Sequence, residues 1–523
     1  MTSSPPPPPS STSGPSPIGA AGPPSAATSA SARPDGAVEA GRGALFIGAA
    51  KAFFMLSGFI QQTLLTRVVS PAGYGAFGAV NSAVSIVNNT VVQFTVQGVS
   101  KFTAEDDRQA EAVKRGALRI MAVVGLVLGL GFFAAAPLLA EFEKAPSYVP
   151  YYRIAALIPA LYAVYAVFIG SVNGQRKFRV QAGFDMTFST AKTILLLGLA
   201  ALGGVSGAFA GFALAAVFIV VAAVRVVGLP RADGSPPFPM RRLATFLSAV
   251  FGYNFLLNIE LLYDQPLLHH FAGLVDPELG KVMAGHYQAL RTLALLPYQA
   301  LLVVTFVIFP LVSRATFEQD REKTRAYVAQ TLRYALILAT AMGVALGARP
   351  SALVAIAFGP SYAEAAGALP ILVVGECSLA VLCVSCAILN AAGRATASLA
   401  LMAATVVIGV GAAFVLVPQA AFGPAMLQAA AVATSLGMVT GFVGAMVYVR
   451  VRLGGNIPVP SAVRVAAAGT AAVLVGHFLP GHGKLVGIAI TILVAVVYLG
   501  VLIALGEFGP EDRAKVKRIL RLG

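Results

Sequence analysis

The chain has 523 residues; 57% are hydrophobic, only 11% are charged, and the formal net charge is +15. So little charge over such a length excludes a soluble globular protein and points to an all-α polytopic membrane protein. The excess of Lys and Arg is sorted along the chain in the manner of a membrane topology signal, which argues against a nucleic-acid partner.

Residues 1–40, beginning with Pro5 to Pro9, are rich in Pro, Ser and Ala and read as a disordered cytoplasmic tail. No basic start precedes a short apolar core, so this is not the pattern of a signal peptide. About fourteen apolar runs follow, each long enough to span hydrocarbon as a helix. They centre on residues 43–65, 75–98, 116–140, 151–172, 183–203, 205–228, 243–271, 285–310, 331–349, 366–389, 396–418, 423–449, 463–479 and 484–506. Asn81, Asn88, Asn89, Gln93 and Gln97 dilute the second run, and a helix that polar persists only against protein or water. SKFTAEDDRQAEAVKR then suits a short helix on the membrane surface, since its acids precede its bases. Residues 229–242, LPRADGSPPFPMRR, read as a cytoplasmic linker between a first lobe (43–228) and a second (243–449).

The second lobe opens with FGYNFLLNIELLYDQPLLHHFAG and AGHYQALRTLALLPYQALLVVTFVIFPLVSR, two runs that hold Glu260, Asp264 and Arg291. Charge inside hydrocarbon is costly and usually faces a cavity or a partner. Pro277-Glu-Leu-Gly280 between these runs parallels Pro71-Ala-Gly73-Tyr74 near the start. SRATFEQDREKTRAYVAQTLR matches SKFTAEDDRQAEAVKR in place and character, AFGPSYAEAAGALP mirrors EFEKAPSYVPYYRIAALIP, and LNAAGRATAS mirrors VNGQRKFRVQ. A spacing of about 210–220 residues suggests a duplicated six-helix unit, whose copies share one orientation and are related by a pseudo-two-fold axis along the membrane normal. A helix pair (463–506) and a basic tail (507–523) finish the chain.

With the N-terminus inside, the predicted cytoplasmic loops collect Lys101, Arg108, Lys114, Arg115, Arg176, Lys177, Arg179, Arg241, Arg242, Arg314, Arg325, Arg394, Arg450 and Arg452 among others. The other side has only Arg67, Lys144, Lys281, Arg349 and Lys484. This asymmetry places both termini in the cytoplasm. Cys377, Cys383 and Cys386 share one run, and the CxxC of the last two has no further ligands nearby for zinc, so helix packing is expected. His269, His270 and His286 fit no metal motif and read as interfacial residues.

LLTRVVSPAGYGAFGAVNSAVSIV with VSKFTAE, ELLYDQPLLHHFAG with AGHYQAL and FPLVSR, and FGPSYAEAAGALPIL with LNAAGRA resemble the landmarks of bacterial Wzx-type polysaccharide flippases. These belong to the multidrug/oligosaccharidyl-lipid/polysaccharide (MOP) exporter superfamily, and the resemblance covers about Gly43 to Gly506. It implies two six-helix lobes in a V around a central cavity, plus a terminal helix pair. It also implies a cargo, an oligosaccharide on a polyprenyl diphosphate, moved from the inner to the outer leaflet of the bacterial cytoplasmic membrane for O-antigen, capsule or exopolysaccharide.

A diphosphate needs cationic donors. The candidates are Arg291, Lys51 and Lys192, with local pairing of Arg291 to Glu260 or Asp264, and snorkelling of the lysines, as the alternatives. Glu260 and Asp264 stand four apart, which on a continuous helix is one face, and together with Glu376 they are candidates for H+ or Na+ coupling. Asn88, Asn89, Gln93, Gln97, Asn254 and Asn258 could bond sugar, or equally hold helices together. No GxxxxGK[ST] is present, so drive is expected from an ion gradient, the cargo gradient or a partner. No metal and no cofactor are expected, and no catalytic residue. The expected partners are membrane lipid and lipid-linked oligosaccharide, with polysaccharide polymerase or chain-length machinery, and the expected state is a monomer. The competing readings are a proton- or sodium-coupled multidrug exporter, which would want an acidic cavity, and a peptidoglycan-lipid flippase. A membrane enzyme fits less well, because the predicted outer loops have only connector length.

Overall fold

The computed structural model describes residues 34–230, 238–302, 321–479, 483–509 and 512, and all regular structure among them is helical. Ten of the described helices are long and apolar enough to cross a membrane. The chain is thus a multi-pass membrane protein. α1 (Pro34–Val68) and α2 (Pro71–Glu105) are not among the ten, although each has 35 residues. α1 begins at Pro34, so the last residues assigned to the disordered tail are helical: no proline after Pro34 stops the apolar run from propagating backwards. The rest of that tail, and residues 510–511 and 513–523 of the basic one, lie outside the described residues.

α3 (Ala110–Phe142), α4 (Val149–Ala155), α5 (Leu157–Gly174) and α6 (Phe178–Val227) complete the first half. α6 is two antiparallel arms joined at Gly203 and Gly204, the latter at φ 57°, a conformation that favours glycine. Beyond the turn, a Cβ on Gly207 or Gly211 would strike the backbone of Leu199 or Leu195, so these glycines let the arms touch. The second half comprises α7 (Met240–Glu260), α8 (Asp264–Val275), α9 (Pro277–Ala294), α10 (Arg321–Ala348), α11 (Pro350–Ala357), a 3-10 segment (Pro360–Ala368), α12 (Leu369–Ala391), α13 (Ala395–Gln419) and α14 (Pro424–Leu453).

Several single runs in the sequence are broken helices. Pro159, Pro266 and Pro297 each lack an N–H and crowd the carbonyl four residues back, and the chain breaks just ahead of them at Ala156, Leu261–Tyr263 and Leu295. The starts of α2 and α9 match in detail. Ser70 Oγ caps Gly73 N (3.1 Å), Asp276 Oδ1 caps the N–H groups of Glu278 and Leu279 (2.9 Å each), and a proline follows each cap.

The two halves meet along α2. At the end away from the basic loops, α2 crosses α9 through Gly75 and Gly285. A Cβ on Gly75 would lie 2.6 Å from Gly285 N, and one on Gly285 would lie 3.1 Å from Gly75 N. There Tyr74 packs its ring on Phe358 and Tyr362 (centroids 6.4 and 6.1 Å), around Gly359 at φ 113°. At the basic end, Phe102 meets Phe238 and Phe246 (5.2 and 5.6 Å), and Arg242 bridges to Glu105 (2.8 Å). Among the described residues the halves therefore touch at both ends of α2.

α15 (Val459–Phe478) and α16 (Lys484–Ala504) pack on each other and on α10, with α16 also against α11. A charged clasp secures the segment that follows. Arg333 of α10 donates from Nε to Glu507 Oε1 (2.6 Å) and from Nη2 to Asp512 Oδ2 (3.0 Å), and Arg464 of α15 lies 3.3 Å from Glu507 Oε2. Cys383 and Cys386 are buried in the core of the second half, as the packing reading expects.

Candidate functional site

The break after α7 builds the site. With Pro266 forbidding a continuous helix, Asp264 starts α8 inside the protein, 3% exposed. Its Oδ1 accepts from Gln265 N (2.9 Å), and its Oδ2 accepts from Tyr287 Oη on α9 (3.0 Å). Arg291, one turn beyond Tyr287 on the same face, brings Nε to 2.8 Å from Asp264 Oδ2. That N–H is not aimed along the carboxylate lone pair, so the contact is an ion pair rather than a directed hydrogen bond, and Nη2 has no acceptor among the described residues. Three of the guanidinium's five N–H donors, those on Nε and Nη2, thus have no hydrogen-bond acceptor among the described residues.

Glu260, at the end of α7, and Glu376, on α12, complete the cluster. Both interact electrostatically with Asp264 and Arg291, both are at most 1% exposed, and their four oxygens find no hydrogen-bond partner among the described residues. The sequence spacing put Glu260 and Asp264 on one face of an unbroken helix. The chain instead turns between them at Leu261–Tyr263, so the turn, not helical periodicity, brings them near.

The other sequence candidates lie elsewhere. Lys51 on α1 pairs with Asp185 on α6 (3.0 Å), next to the Ser57–Thr193 contact (3.0 Å). Lys192, also on α6, lies 4.1 Å over the Phe212 ring and has no carboxylate partner among the described residues. Lys51 thus sits at the α1–α6 interface and Lys192 between the two arms of α6, and these contacts do not involve the acidic cluster. Of the amides, Asn258 donates to Gln93 Oε1 (3.2 Å) across the halves and to Asn254 O (2.8 Å), and Asn254 bonds back to Val250 O (3.1 Å). Those three serve helix contacts here. Asn88 is buried against Asn89 (3.5 Å) with its own Oδ1 unpartnered among the described residues, and Gln97 is exposed.

A family model described as a polysaccharide biosynthesis protein matches residues 64–367. The chain belongs to that family. None of the curated proteins compared with it matches. Among solved structures, this polysaccharide biosynthesis protein resembles the lipid II flippase MurJ in an inward-closed conformation, with TM-score 0.69 and 13% identity over 88% of this chain and 98% of that one. It also resembles a multidrug resistance MATE family transporter in its inward-facing conformation (TM-score 0.64, 17% identity, 79% and 98% covered). A third likeness is to a MOP superfamily transporter from Pyrococcus furiosus Vc1 (TM-score 0.57, 16% identity, 80% and 95% covered). At such identities the likeness carries the fold, which is that of the MOP superfamily.

The sequence reading of this family member missed Tyr287 and Gln265 as partners of Asp264, and it missed a second cross-half cluster. His269 is not interfacial: at 1% exposure it lies 3.1 Å from Tyr148 Oη, because α8 turns it into the connector after α3. His270 is bonded to Phe142 O and stacks on its ring. Beside them Glu143 is buried and accepts from Tyr152 Oη (2.9 Å). The aromatic run SYVPYY was the available signal. Burial pushes the Glu143 carboxyl from 4.5 up to about 8, against the pull of the Tyr152 hydrogen bond. A carboxyl raised in the folded state favours folding fully below its unfolded value and loses that contribution as pH climbs to its folded one. Melting temperature should therefore fall between about pH 4.5 and 8, and Glu143→Gln should flatten that slope. Thermal unfolding of both proteins across the window checks this, and parallel slopes would refute it.

Proposed function

We propose that this protein is a flippase of the bacterial cytoplasmic membrane, both termini cytoplasmic, that carries a polyprenyl-diphosphate-linked oligosaccharide from the inner to the outer leaflet for surface polysaccharide. The family assignment supports the pathway and the fold supports alternating access between two six-helix lobes, residues 43–228 and 243–449. The observation that carries the cargo reading is Arg291, a buried guanidinium with unspent donors at a helix break between the halves. Desolvated diphosphate needs such a donor, and a cavity made for cationic drugs would not hold one at its centre.

The same cluster supplies coupling. Three carboxylates and one guanidinium leave two negative charges unbalanced if all are ionised, which hydrocarbon does not tolerate without a proton or a cation. When the halves part, Asp264 and the diphosphate compete for Arg291. A proton on Asp264, or H+ or Na+ taken by Glu260 and Glu376, releases the guanidinium to the cargo. Loss of the proton or ion re-forms the pair and expels the diphosphate. Lys51 and Lys192 are the proposed contacts from the first lobe, and Asn88, Asn89 and Gln97 the proposed sugar contacts. The working unit is a monomer that hands cargo to a polysaccharide polymerase.

A deletion strain should accumulate lipid-linked oligosaccharide reachable only from the inner leaflet, and the wild-type gene should restore surface glycan. Intact glycan with reduced dye efflux would favour the drug-exporter reading instead.

A further inference from the structure

At the end away from the basic loops, α8 of the second half lies across one short strip of the first, residues 142–148. His269 stacks on the Tyr148 ring (centroids 5.2 Å) with Nε2 3.1 Å from its hydroxyl. His270 stacks on the Phe142 ring (4.5 Å) and bonds to the Phe142 carbonyl. One turn on, a Cβ on Gly273 would lie 3.2 Å from Glu143 O and 3.0 Å from Lys144 Cβ, so α8 rests on that backbone. Under this roof Glu143 is buried. Its Oε1 accepts from Tyr152 Oη (2.9 Å), whereas Oε2 has no hydrogen-bond partner among the described residues. The charged groups around it are engaged elsewhere: Lys144 pairs with Glu141 (3.7 Å), Lys281 of α9 pairs with Glu278, and Arg153 lies over Phe133 (5.1 Å). The remaining titratable neighbours are Tyr148, Tyr152, His269 and His270. The Asp264 cluster does not act on this carboxyl.

An ionised carboxylate with an open oxygen and no cation is costly in a dry contact, and a proton removes that cost. Once α8 lifts away, water reaches the strip and solvates the charge. We propose that Glu143 is a proton-binding site keyed to this contact: it holds a proton while α8 covers it and releases that proton to the outer side when the halves part. Tyr152 is its positioning residue, fixing Oε1 through the hydroxyl. Closing this end therefore takes up one proton from outside, and external acid favours the closed form. Burial in the covered state lifts the carboxyl from 4.5 to about 8. The covered state is thus favoured fully below the lower value, and the preference is lost as pH rises to the upper one. The site needs only that the halves part here, whatever the cargo.

Distance measurements between spin labels on exposed Leu138 of α3 and exposed Leu274 of α8 test it, on the full-length protein in lipid nanodiscs without cargo. Between about pH 4.5 and 8 the ratio of short to long distances should fall by up to about tenfold per pH unit, the signature of one proton. Glu143→Gln, which can still accept from Tyr152 and cannot ionise, should stay short across the window. Tyr152→Phe removes a donor that favours the ionised form, so its transition should move to higher pH; a Glu143 that merely packs the contact would not respond to that change. Glu143→Gln with the parent's pH dependence would overturn the proposal, as would a parent ratio that does not change with pH. Asp264→Asn should keep the transition, and its loss there would overturn the proposal by transferring the proton to the acidic cluster. A different cargo would leave these distances as they are, so failure of the cargo reading and failure of this one are told apart.

Discussion

Arg291→Ala should abolish complementation of a deletion strain while the protein still reaches the membrane. The change removes the sole guanidinium from a described cluster of three buried carboxylates and leaves Asp264 without its ion pair. Breaking a buried pair from one side costs about 3–5 kcal/mol, so loss of function alone would not separate cargo binding from stability. The pair of neutral substitutions does. In Asp264→Asn with Arg291→Gln both charges go together, Tyr287 retains a partner, and the fold should recover most of its melting temperature. If Arg291 meets the diphosphate, that double variant remains inactive although it is stable. If the pair is purely structural, transport returns with stability, and the guanidinium has no part in recognition.

Gly285→Leu is the second large effect. The helices α2 and α9 touch backbone to backbone at Gly75 and Gly285, and a side chain there meets the Pro71 peptide and Gly75 N rather than a movable neighbour. Forcing volume into such a contact costs about 1–3 kcal/mol, which would lower the closed population at that end roughly five- to 150-fold. The helices themselves have no reason to unfold, so the protein should be expressed and inactive. Spin labels at Ala72 and Lys281 should move apart relative to the parent. An unchanged label distance in a fully active variant would mean the crossing is not part of the transport cycle.

Much of this architecture was legible in the sequence because membrane spans are written in long apolar runs and loop charge. The duplicated landmarks were legible too: the Ser70-Pro71 and Asp276-Pro277 helix starts are local chemistry, readable as capped prolines. What escaped was tertiary. Pro266 and Pro297 announce broken helices, but only packing decides where the severed ends point, and here it aims Asp264 at Tyr287 and Arg291. Lys51 has its partner 134 positions away on α6, a pairing that no spacing rule finds. Asn258 and Gln93 looked the same as cavity-facing residues, because an amide for sugar and an amide for a helix neighbour are one chemical group.

The clasp of Arg333, Glu507 and Asp512 bears on how motion could be watched. It pins Glu507 and Asp512 to α10, so the described residues that follow α16 move with the second half. A fluorophore on exposed Leu505, beside the clasp, and another on exposed Gln109, just ahead of α3, would form a ruler across the molecule, and rocking of one half against the other would register as a change in energy transfer.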